Sequence, residues 1–324
     1  MAKAIRLSET GGTEVLRWEE LDVGAPGEGE LCIRHTAVGL NYIDVYHREG
    51  SYPLKLPTGL GVEGAGVVEA VGTEVRGFAV GDRVVYAGGP PGAYATERLL
   101  PAARATKIPD DVSDELAVSV FFKGLTAEYL IHRCHEVAKG DVVLWHAAAG
   151  GVGSLACQWL SHIGATVIGT VSTDEKGQRA RENGCSFTIN YRKEDFVARV
   201  KEITGGKLVS AVYDSVGKDT IVGSLDCLRP RGILVSFGTA SGPTPDLDLA
   251  TLGARGSLYV TRPSIAHYTT QRREFDAAAE AVFKALAQGI LKVGSPTTYP
   301  LREVAQAHQD MQGGKTSGSV VLTV

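Results

Sequence analysis

Short apolar runs separated by turn-forming residues fill roughly the first 120 residues of the chain. The runs ELCIRHTAVGL, GAGVVEAVG and DRVVYAG are bounded by clusters of Gly, Pro, Asp and Glu. Few windows here place apolar residues at helical spacing, and short runs closed by turn residues are typical of β-strands. We therefore expect a compact, turn-rich, β-rich antiparallel fold in this part of the chain.

From about residue 125 the pattern becomes an alternation of apolar strands and amphipathic helices. The strand candidates are DVVLWHAA, ATVIGTVS, FTINY, SAVYDSVG, GILVSFG and GSLYVTR. The helical segments are LTAEYLIHRCHEV, SLACQWLSHI, DEKGQRAREN, EDFVARVKEI and DTIVGSLDCL. Strands that are apolar throughout and alternate with helices indicate a parallel sheet covered on both faces. The predicted fold class is therefore α/β, a doubly wound parallel sheet beside the β-rich unit.

The tail after residue 262 breaks this alternation. It holds a long amphipathic helix, RREFDAAAEAVFKALAQG, a shorter one, REVAQAHQDM, and a last strand, SVVLTV. A segment of this size is too small to fold alone, so we expect it to pack back on the first unit. The predicted domains are residues 1–124, residues 125–262 and the returning segment 263–324.

Composition narrows the class of protein. The net charge is −4 and no basic stretch is clustered, which argues against a dedicated nucleic-acid-binding protein. The five cysteines are scattered and odd in number, which favours a reducing compartment over a disulfide framework. No apolar stretch approaches the roughly 20 residues of a membrane span, and the first residues lack the apolar core of a signal peptide. We expect a cytoplasmic protein.

The segment HAAAGGVG, residues 146–153, joins a predicted strand to a predicted helix. Laid on the dinucleotide fingerprint G-x-G-x-x-G, its key positions are Ala148, Gly150 and Gly153. Gly150 would let a pyrophosphate approach the backbone, Gly153 would let the helix press on the strand, and the helix N-terminus would face the phosphates. The loop residues predicted to bind the cofactor are Ala149, Gly150, Gly151, Val152 and Gly153. A purely structural strand–helix turn is the alternative.

The end of the second strand bears on the choice of dinucleotide. NAD-selective folds place an acidic residue about 20 positions after the glycines, and here Ser172 stands 19 residues past Gly153. The residues expected around a 2′-phosphate are Ser172, Thr173, Lys176, Tyr191 and Arg192. A solvated helix start with surface cations is the alternative, and Asp174 is an unfavourable neighbour for a phosphate. The pattern favours NADP(H) over NAD(H).

Several motifs in order along the chain resemble one known family. They are GVEGAGVVEAVG, FAVGDRV, FFKGLTA, AAAGGVG, INYRKEDF, VYDSVG and VTRPS. Together they are similar to the zinc-free, zeta-crystallin-like quinone oxidoreductases of the medium-chain dehydrogenase/reductase superfamily. The resemblance covers essentially the whole chain. It implies a GroES-like catalytic domain, a Rossmann coenzyme domain and NADPH as cofactor, and it makes Ala148 an ordinary member of the loop.

The resemblance also locates the positions where related alcohol dehydrogenases bind zinc. The first cysteine ligand would fall at Asn41 and the histidine of the next motif at Val62, neither of which is a good zinc ligand. The closely spaced cysteines of a structural zinc lobe are missing as well. The sequence therefore predicts no metal site.

Residues that could contact the substrate lie in the segment GLNYIDVYHREGSYP. The amide of Asn41 and the hydroxyls of Tyr46 and Tyr52 could hydrogen-bond a carbonyl oxygen as negative charge develops on it. Tyrosines in a turn-rich domain also often serve only in packing. The resemblance implies a functional role for Asn41 and Tyr46.

The resemblance implies further cofactor contacts outside the glycine-rich loop. Lys123 and Thr126 in FFKGLTA would face the cofactor, and the backbone of Phe237 and Gly238 would lie beside the nicotinamide amide. Additional candidates, for which a structural role is the alternative, are Ser215, Arg262 and Ser317. Ser215 has no base at a recognisable spacing, which argues against a hydrolase.

The predicted function is NADPH-dependent, zinc-independent reduction of a small-molecule quinone. An enone or alkenal reductase would use the same hydride on an activated carbon–carbon double bond and is the alternative within the enzyme class. A non-catalytic NADPH-binding protein, crystallin-like or RNA-associated, is the alternative from another class. The apolar strand GSLYVTR comes last in the coenzyme domain, and such sheet edges pair in the superfamily, which implies a homodimer.

Overall fold

The computed structural model describes residues 1–324 and divides into two compact units. The first unit comprises Met1–Lys123, Thr269–Phe283 and Val293–Val324, and the second comprises Gly124–Tyr268 and Lys284–Lys292. Each unit has its own sheet structure and its own cluster of buried apolar side chains.

The first unit is built mainly from β-strands. Its strands are β1 (Ala2–Leu7), β2 (Arg17–Leu21), β3 (Glu30–Leu40), β4 (Thr58–Gly59), β5 (Glu63–Val71), β6 (Arg83–Ala87), β7 (Glu97–Pro101), β8 (Ala105–Lys107), β15 (Thr297–Pro300) and β16 (Val320–Thr323). One sheet has the order β15-β16-β3-β5-β6-β8, with β7 also pairing with β3, and a smaller sheet has the order β2-β1-β4. Nearly all of these pairs are antiparallel, as the sequence pattern predicts.

Strand β3 organises this unit. It runs for 11 residues and pairs antiparallel with β5, β7 and β16. Its buried Leu31, Ile33, Val38 and Leu40 join the apolar cluster, so most of the strand lies inside the unit. Because β3 ends in this core, it holds the residue that follows it, Asn41, in a buried position.

Helices complete the first unit, and the sequence pattern missed one of them. The helices whose residues belong wholly or partly to it are α1 (Tyr42–Glu49), α2 (Asp114–Glu128), α9 (Arg272–Ala287) and α10 (Val304–Gln312). Helix α1 was not expected, because its eight residues are too few to show a clear period. The predicted helix LTAEYLIHRCHEV is only partly one, because α2 ends at Glu128 and a π-helical turn follows over Tyr129–Cys134.

The second unit has the alternating pattern that the sequence predicts. Its strands are β9 (Val142–Trp145), β10 (Thr166–Val171), β11 (Phe187–Asn190), β12 (Val209–Asp214), β13 (Leu228–Ser236) and β14 (Tyr259–Thr261). Its helices are α3 (Gly151–Ile163), α4 (Asp174–Glu182), α5 (Phe196–Ile203), α6 (Ile221–Asp226), α7 (Leu249–Ala254) and α8 (Ile265–Tyr268).

All six strands of the second unit are parallel, in the order β11-β10-β9-β12-β13-β14. The order reverses next to β9, where one half of the sheet runs outward to β11 and the other to β14. Doubly wound sheets bind ligands at such a reversal, beyond the carboxyl ends of the strands. The prediction of a doubly wound α/β unit is confirmed, and the glycine-rich segment lies at this point. None of the helices combines the length and the apolarity needed to cross a bilayer.

Candidate active site

The glycine-rich segment forms a tight turn from strand β9 into helix α3. Gly150 is the N-cap residue, its backbone is extended, and no side chain caps the helix. The Gly150 N–H donates to the Ala147 carbonyl at 2.9 Å. The N–H groups of Gly151, Val152 and Gly153, in the first turn, have no acceptor within the helix. The turn therefore presents several backbone donors and the positive end of the helix dipole to an anion.

The turn leaves no room for a side chain at Gly153. A Cβ there would lie 2.5 Å from the Ala147 carbonyl oxygen and 2.9 Å from Ala148 Cα. Ala148 is itself held closely, because a Cβ on Gly169 of strand β10 would approach its methyl group to 2.6 Å. These contacts press α3 onto the strand end, which is the arrangement that brings a pyrophosphate against the backbone in dinucleotide sites.

His146, the first residue of this segment, is held by a buried polar network. Ser224 donates its hydroxyl proton to Asp214 at 2.9 Å, so His146 Nε2 must be the donor in its 3.0 Å bond to Ser224. Nδ1 then accepts from the Thr170 hydroxyl at 2.9 Å, and burial lowers the pKa of His146, so the ring is neutral. Because His146 donates to Ser224, it does not act as a base toward that hydroxyl. The network joins the ends of strands β9, β10 and β12.

Basic residues gather beyond the carboxyl ends of β10 and β11. Burial lowers the pKa of Lys176, and the charges of Arg192 and Arg179 lower it further, so the three cations lie near one another. Thr173 caps helix α4 by accepting from the Lys176 N–H at 3.2 Å. Ser172 and Thr173 are half-buried, whereas Tyr191 and Arg192 are exposed. The arrangement concentrates positive charge where an acidic residue would select NAD.

Asp174, the unfavourable neighbour of this group, is engaged elsewhere. Its carboxylate accepts from Lys193 Nζ at 2.5 Å and from the Asn190 side chain at 2.8 Å. These two bonds lower the pKa of Asp174. Its negative charge is therefore offset by Lys193.

The ends of strands β12, β13 and β14 are packed tightly. A Cβ on Gly238 would lie 2.5 Å from the Ser215 carbonyl oxygen, so these two loops touch through their backbones. Arg262 Nη1 donates to the carbonyls of Ser236 at 3.1 Å and Gly238 at 3.0 Å. The ring of Phe237 packs 5.6 Å from that of Trp145. Arg262 thus has a structural role in tying the strand ends together.

In the first unit, Asn41 is buried and caps helix α1. Its side chain accepts from the backbone of Asp44, whose carboxylate in turn accepts from the Asn41 N–H at 2.9 Å. This reciprocal pair is a capping box, which satisfies two of the free N–H groups at the helix start. Asn41 Nδ2 donates one proton to Glu63 Oε2 at 2.8 Å. The second proton on Nδ2 is the part of this amide that could reach a substrate oxygen.

Glu63 is the centre of the buried polar group in this unit, and it is not solvent-exposed at all. Oε1 accepts from the Phe122 backbone N–H at 2.8 Å, and Oε2 accepts from Asn41 and lies 3.4 Å from Lys123 Nζ. Lys123 is also buried. Gly39 of β3 lies opposite Glu63 of β5, and a Cβ at position 39 would collide with the Glu63 carboxylate. Glycine at this position therefore leaves room for the carboxylate. One carboxylate therefore positions both Asn41 and Lys123.

Tyr46 and Tyr52, the two tyrosines predicted to contact the substrate, have neighbouring rings. Their ring centroids are 5.0 Å apart, and the Tyr52 N–H donates to the Tyr46 carbonyl at 3.1 Å. Tyr42 stacks edge-on against Tyr46 with centroids 5.3 Å apart. Tyr46 is buried and Tyr52 is half-buried. Thr126, another predicted residue, is buried in α2, and Ser317 is half-buried in the segment between α10 and β16.

A buried hydrogen-bonded chain connects α1 to α10. Arg48 donates to His308 Nδ1 at 3.1 Å, so Nε2 carries the ring proton and donates to the Tyr94 hydroxyl. Tyr94 in turn donates to Asp44 Oδ2 at 2.8 Å. Burial and the charge of Arg48 lower the pKa of His308 to about 3, which keeps the ring neutral.

The Asp44 carboxyl, at the end of this series of hydrogen bonds, is a weaker acid than usual. Burial raises the pKa of Asp44 to about 7, and the charge of Glu63 adds to the rise, although hydrogen bonds from the Asn41 backbone and Tyr94 oppose it. Asp44 Oδ1 is buried and has no hydrogen-bond partner. The folded state therefore favours the protonated form of the Asp44 carboxyl more than the unfolded chain does.

This raised pKa predicts a pH dependence of stability. The folded-state pKa exceeds the unfolded value of about 3.9, so the contribution of Asp44 is fully present below about pH 4 and is lost as the pH rises through about 7. The full loss is on the order of 4 kcal/mol, from about three pKa units. We expect the free energy of unfolding in urea to fall less between about pH 4.5 and 8 in Asp44→Asn than in the unmodified chain. Equal slopes in the two proteins would contradict this assignment.

Comparison with known proteins adds to this geometry. The chain matches the family model described as alcohol dehydrogenase GroES-like domain over residues 27–110 and the one described as zinc-binding dehydrogenase over residues 151–284. A quinone oxidoreductase of Pseudomonas aeruginosa is 47% identical, and the alignment covers 99% of each chain. The chain belongs to the zinc-free quinone oxidoreductase family.

Other members are equally similar along their whole length. The crystal structure of Escherichia coli quinone oxidoreductase complexed with NADPH has a TM-score of 0.98 and 45% identity, covering 99% of this chain and 100% of that one. A 2-haloacrylate reductase of a Burkholderia species is 48% identical, with 99% of each chain covered. The predicted resemblance to the zinc-free quinone oxidoreductases is confirmed, and so is the pairing of a GroES-like unit with a Rossmann unit.

The positions that zinc ligands would occupy carry other residues in this chain. Asn41 holds its capping and Glu63 bonds, and Val62 is a buried apolar residue. In the whole chain, no three or more His, Cys, Asp or Glu side chains are grouped so that they could hold a metal ion.

Sequence reasoning missed three polar residues that shape this site. They are Asp44, Glu63 and His146, and all of them are buried. Asp44 and Glu63 bond to Asn41, whereas His146 bonds to Thr170 of β10. Glu63 had a visible signal, since it is the only charged residue in the apolar, glycine-rich run GLGVEGAGVV. Asp44 is three residues after Asn41, the spacing of a capping box, and His146 begins the glycine-rich segment.

Proposed function

We propose that this protein is an NADPH-dependent, zinc-independent quinone oxidoreductase. The observation that carries the proposal is its full-length likeness to proteins named quinone oxidoreductase, one of them solved with NADPH. The site supports it from the residues upward, because the second unit offers a phosphate-binding turn and a group of cations. The first unit offers buried amide, hydroxyl and ammonium donors.

The residues of the second unit fit the phosphates of NADPH. Gly150, Gly151, Val152 and Gly153 would hold the pyrophosphate through backbone N–H groups, with Ala149 before them in the turn. The remaining contacts that we propose for the cofactor are Ser172, Thr173, Lys176, Tyr191, Arg192, Ser215, Phe237, Gly238, Arg262, Lys123, Thr126 and Ser317. The charge-assisted bonds of Lys176 and Arg192 would recognise the 2′-phosphate.

Bound NADPH supplies the hydride, and the protein supplies orientation and hydrogen bonds. Asn41 has one amide proton free of Glu63, and Tyr46 and Tyr52 carry hydroxyl groups on neighbouring rings. We propose that these donors stabilise the negative charge that develops on a quinone oxygen. Glu63 holds Asn41 and Lys123 in place for this role.

The cation group predicts the cofactor preference. We expect kcat/KM to be higher with NADPH than with NADH, and Lys176→Ala and Arg192→Ala each to lower kcat/KM for NADPH by about 10- to 100-fold, since a lost charged hydrogen bond costs about 1.5–3 kcal/mol. The value for NADH should change little. Lys201→Ala, on the exposed face of α5, is the matched control. A preference of the unmodified enzyme for NADH would refute the assignment.

A second candidate activity is reduction of an activated carbon–carbon double bond. The 48% identity to a 2-haloacrylate reductase favours it, because the same hydride could add to the alkene carbon β to a carboxylate or carbonyl, and the α-carbon would then take up a proton. Steady-state rates with NADPH and either a 1,4-quinone, an enal or 2-chloroacrylate would separate the activities. Binding of NADPH without turnover of any acceptor would instead indicate a non-catalytic protein.

We also propose a homodimer formed through strand β14. It is an edge strand of the parallel sheet, and its Tyr259 and Val260 are exposed apolar residues. Light scattering at micromolar concentration tests this, and a monomer alone would contradict it.

We keep the domain limits 1–124, 125–262 and 263–324 as a proposal. The five cysteines are all free thiols, which supports our proposal of a cytoplasmic location.

A further inference from the structure

A cavity of about 220 Å³ opens in the first unit among β1, β2, β4 and β7. Two arginines, Arg6 and Arg98, line it, together with Asp22 and Gly92. None of the residues assigned above to NADPH or to a quinone contributes to its wall. The cavity is therefore a feature that the proposed reaction leaves unexplained.

Arg98 is the most unusual residue of this wall, because it is a buried cation without an anion. Only 6% of the residue is exposed. Its guanidinium donates to the carbonyls of Leu99 at 3.0 Å and Pro90 at 2.9 Å, and it approaches the Tyr86 hydroxyl at 3.5 Å. These three bonds leave two of its five N–H groups without an acceptor. Arg98 takes part in none of the ion pairs of the chain. A buried charge is normally paired, because desolvation without a counter-charge is costly.

The space in front of this guanidinium is left open by a glycine. A Cβ on Gly92 would lie 3.6 Å from Arg98 Cζ and 3.7 Å from each terminal nitrogen. A side chain at position 92 would therefore cover the fork of the arginine. With glycine there, no side chain at position 92 separates the guanidinium from the cavity that both residues line, and the guanidinium also lies over the Tyr86 ring, 5.3 Å from its centroid.

A second cation and one carboxylate stand at the same cavity. Arg6 is only loosely paired, since its Nε lies 3.9 Å from Glu19. Asp22 is exposed, and its Oδ1 accepts from the Gly24 N–H at 3.2 Å. Two guanidinium groups against one carboxylate leave the wall with a net positive charge.

We propose that this cavity binds a small oxyanion, a phosphate or a carboxylate, between Arg98 and Arg6. The guanidinium fork matches two oxygens of such a group, and the bound anion supplies the counter-charge that the protein does not. Asp22 weakens the site by repulsion and sets its affinity low. The site is distinct in residues from the cation group of Lys176 and Arg192.

Thermal unfolding of the NADPH-saturated protein tests the proposal, since the cofactor then occupies the other phosphate site. The probes are inorganic phosphate and succinate, each compared with sodium chloride at equal ionic strength. We expect either oxyanion to raise Tm in a saturable manner, as binding to the native state requires. A response to phosphate alone or to succinate alone identifies which oxyanion the site takes.

Variants separate binding from the general stabilising effect of such salts. We expect Arg6→Gln to raise the apparent Kd by about three- to fivefold and Asp22→Asn to lower it by a similar factor, the range of one partly exposed charge. Asn keeps the bond from Gly24, so Asp22→Asn preserves the local turn. Arg302→Gln, at a highly exposed arginine, is the control and should bind as the unmodified protein does. Equal responses in all four proteins, or no shift beyond that of chloride, would overturn the site.

Discussion

Glu63→Gln is expected to lower kcat/KM for a quinone by about 100-fold and the free energy of unfolding by about 3–5 kcal/mol. Gln can still accept from the Phe122 N–H through its oxygen. Its amide nitrogen, however, would face the Asn41 amide and the Lys123 ammonium, both of which are donors. Lys123 would also be left as a buried charge without a partner. Enzyme kinetics and urea unfolding measure the two effects.

Two further variants distinguish the structural from the functional part of this effect. Glu69→Gln is the matched control, because Glu69 lies on the same strand but pairs with Arg34 at the surface, and we expect a loss below about 1 kcal/mol. In the double variant Glu63→Gln/Lys123→Met both charges are gone, so much of the stability should return. Activity should stay low, because Lys123 and the orientation of Asn41 are lost. Full activity in either Glu63 variant would show that Glu63 does not position the site.

Gly153→Ala is expected to raise KM for NADPH by about 100-fold, since a displacement of about 1 Å in a positioned site has effects of this size. The new methyl group would lie 2.5 Å from the Ala147 carbonyl oxygen and 2.9 Å from Ala148 Cα. These are backbone atoms and cannot rotate away, so α3 and the turn must separate. Overpacking of this kind also costs about 1–3 kcal/mol of stability. Steady-state kinetics and direct titration of NADPH measure the effect.

Gly253→Ala is the matched control for this substitution. Gly253 lies in helix α7 of the same unit, and nothing stands within 4 Å of the position that its Cβ would take. Alanine is the better helix former, so we expect Gly253→Ala to be neutral or to stabilise by about 0.5–1 kcal/mol. If Gly153→Ala bound NADPH as tightly as Gly253→Ala does, the close approach of α3 to the strand would not matter for the cofactor.

Local patterns were enough to predict the second unit. Each strand from β9 to β14 contains a short apolar run, and each is followed by a segment with helical spacing or a turn, so the alternation is visible along the sequence. The glycine-rich turn is equally local, because its function depends on eight consecutive residues. Ser172, Lys176 and Arg192 could be placed near it because the carboxyl ends of parallel strands meet at one sheet edge.

The first unit was harder to predict because its site depends on contacts between distant segments. Glu63 meets Asn41 across 22 positions and Phe122 across 59, and no periodicity relates these residues. Arg48 meets His308 across 260 positions. Helix α1 is amphipathic, with Tyr42, Val45 and Tyr46 at helical spacing, but eight residues cover only two turns and give too short a periodic signal to predict a helix from sequence.

The sequence by itself was enough to predict the α/β class and the parallel sheet, and it carries the glycine-rich turn and the cations that support the proposal of NADPH as cofactor. These properties follow from hydrophobic period, glycine placement and the identity of a few neighbouring side chains, which are all local. Only the tertiary structure decided which polar groups are buried together, namely Glu63 with Asn41 and Lys123. It also decided that Arg98 lines a cavity. The physical reason is that a charge acquires its partner, its desolvation and its pKa from whatever the fold packs against it.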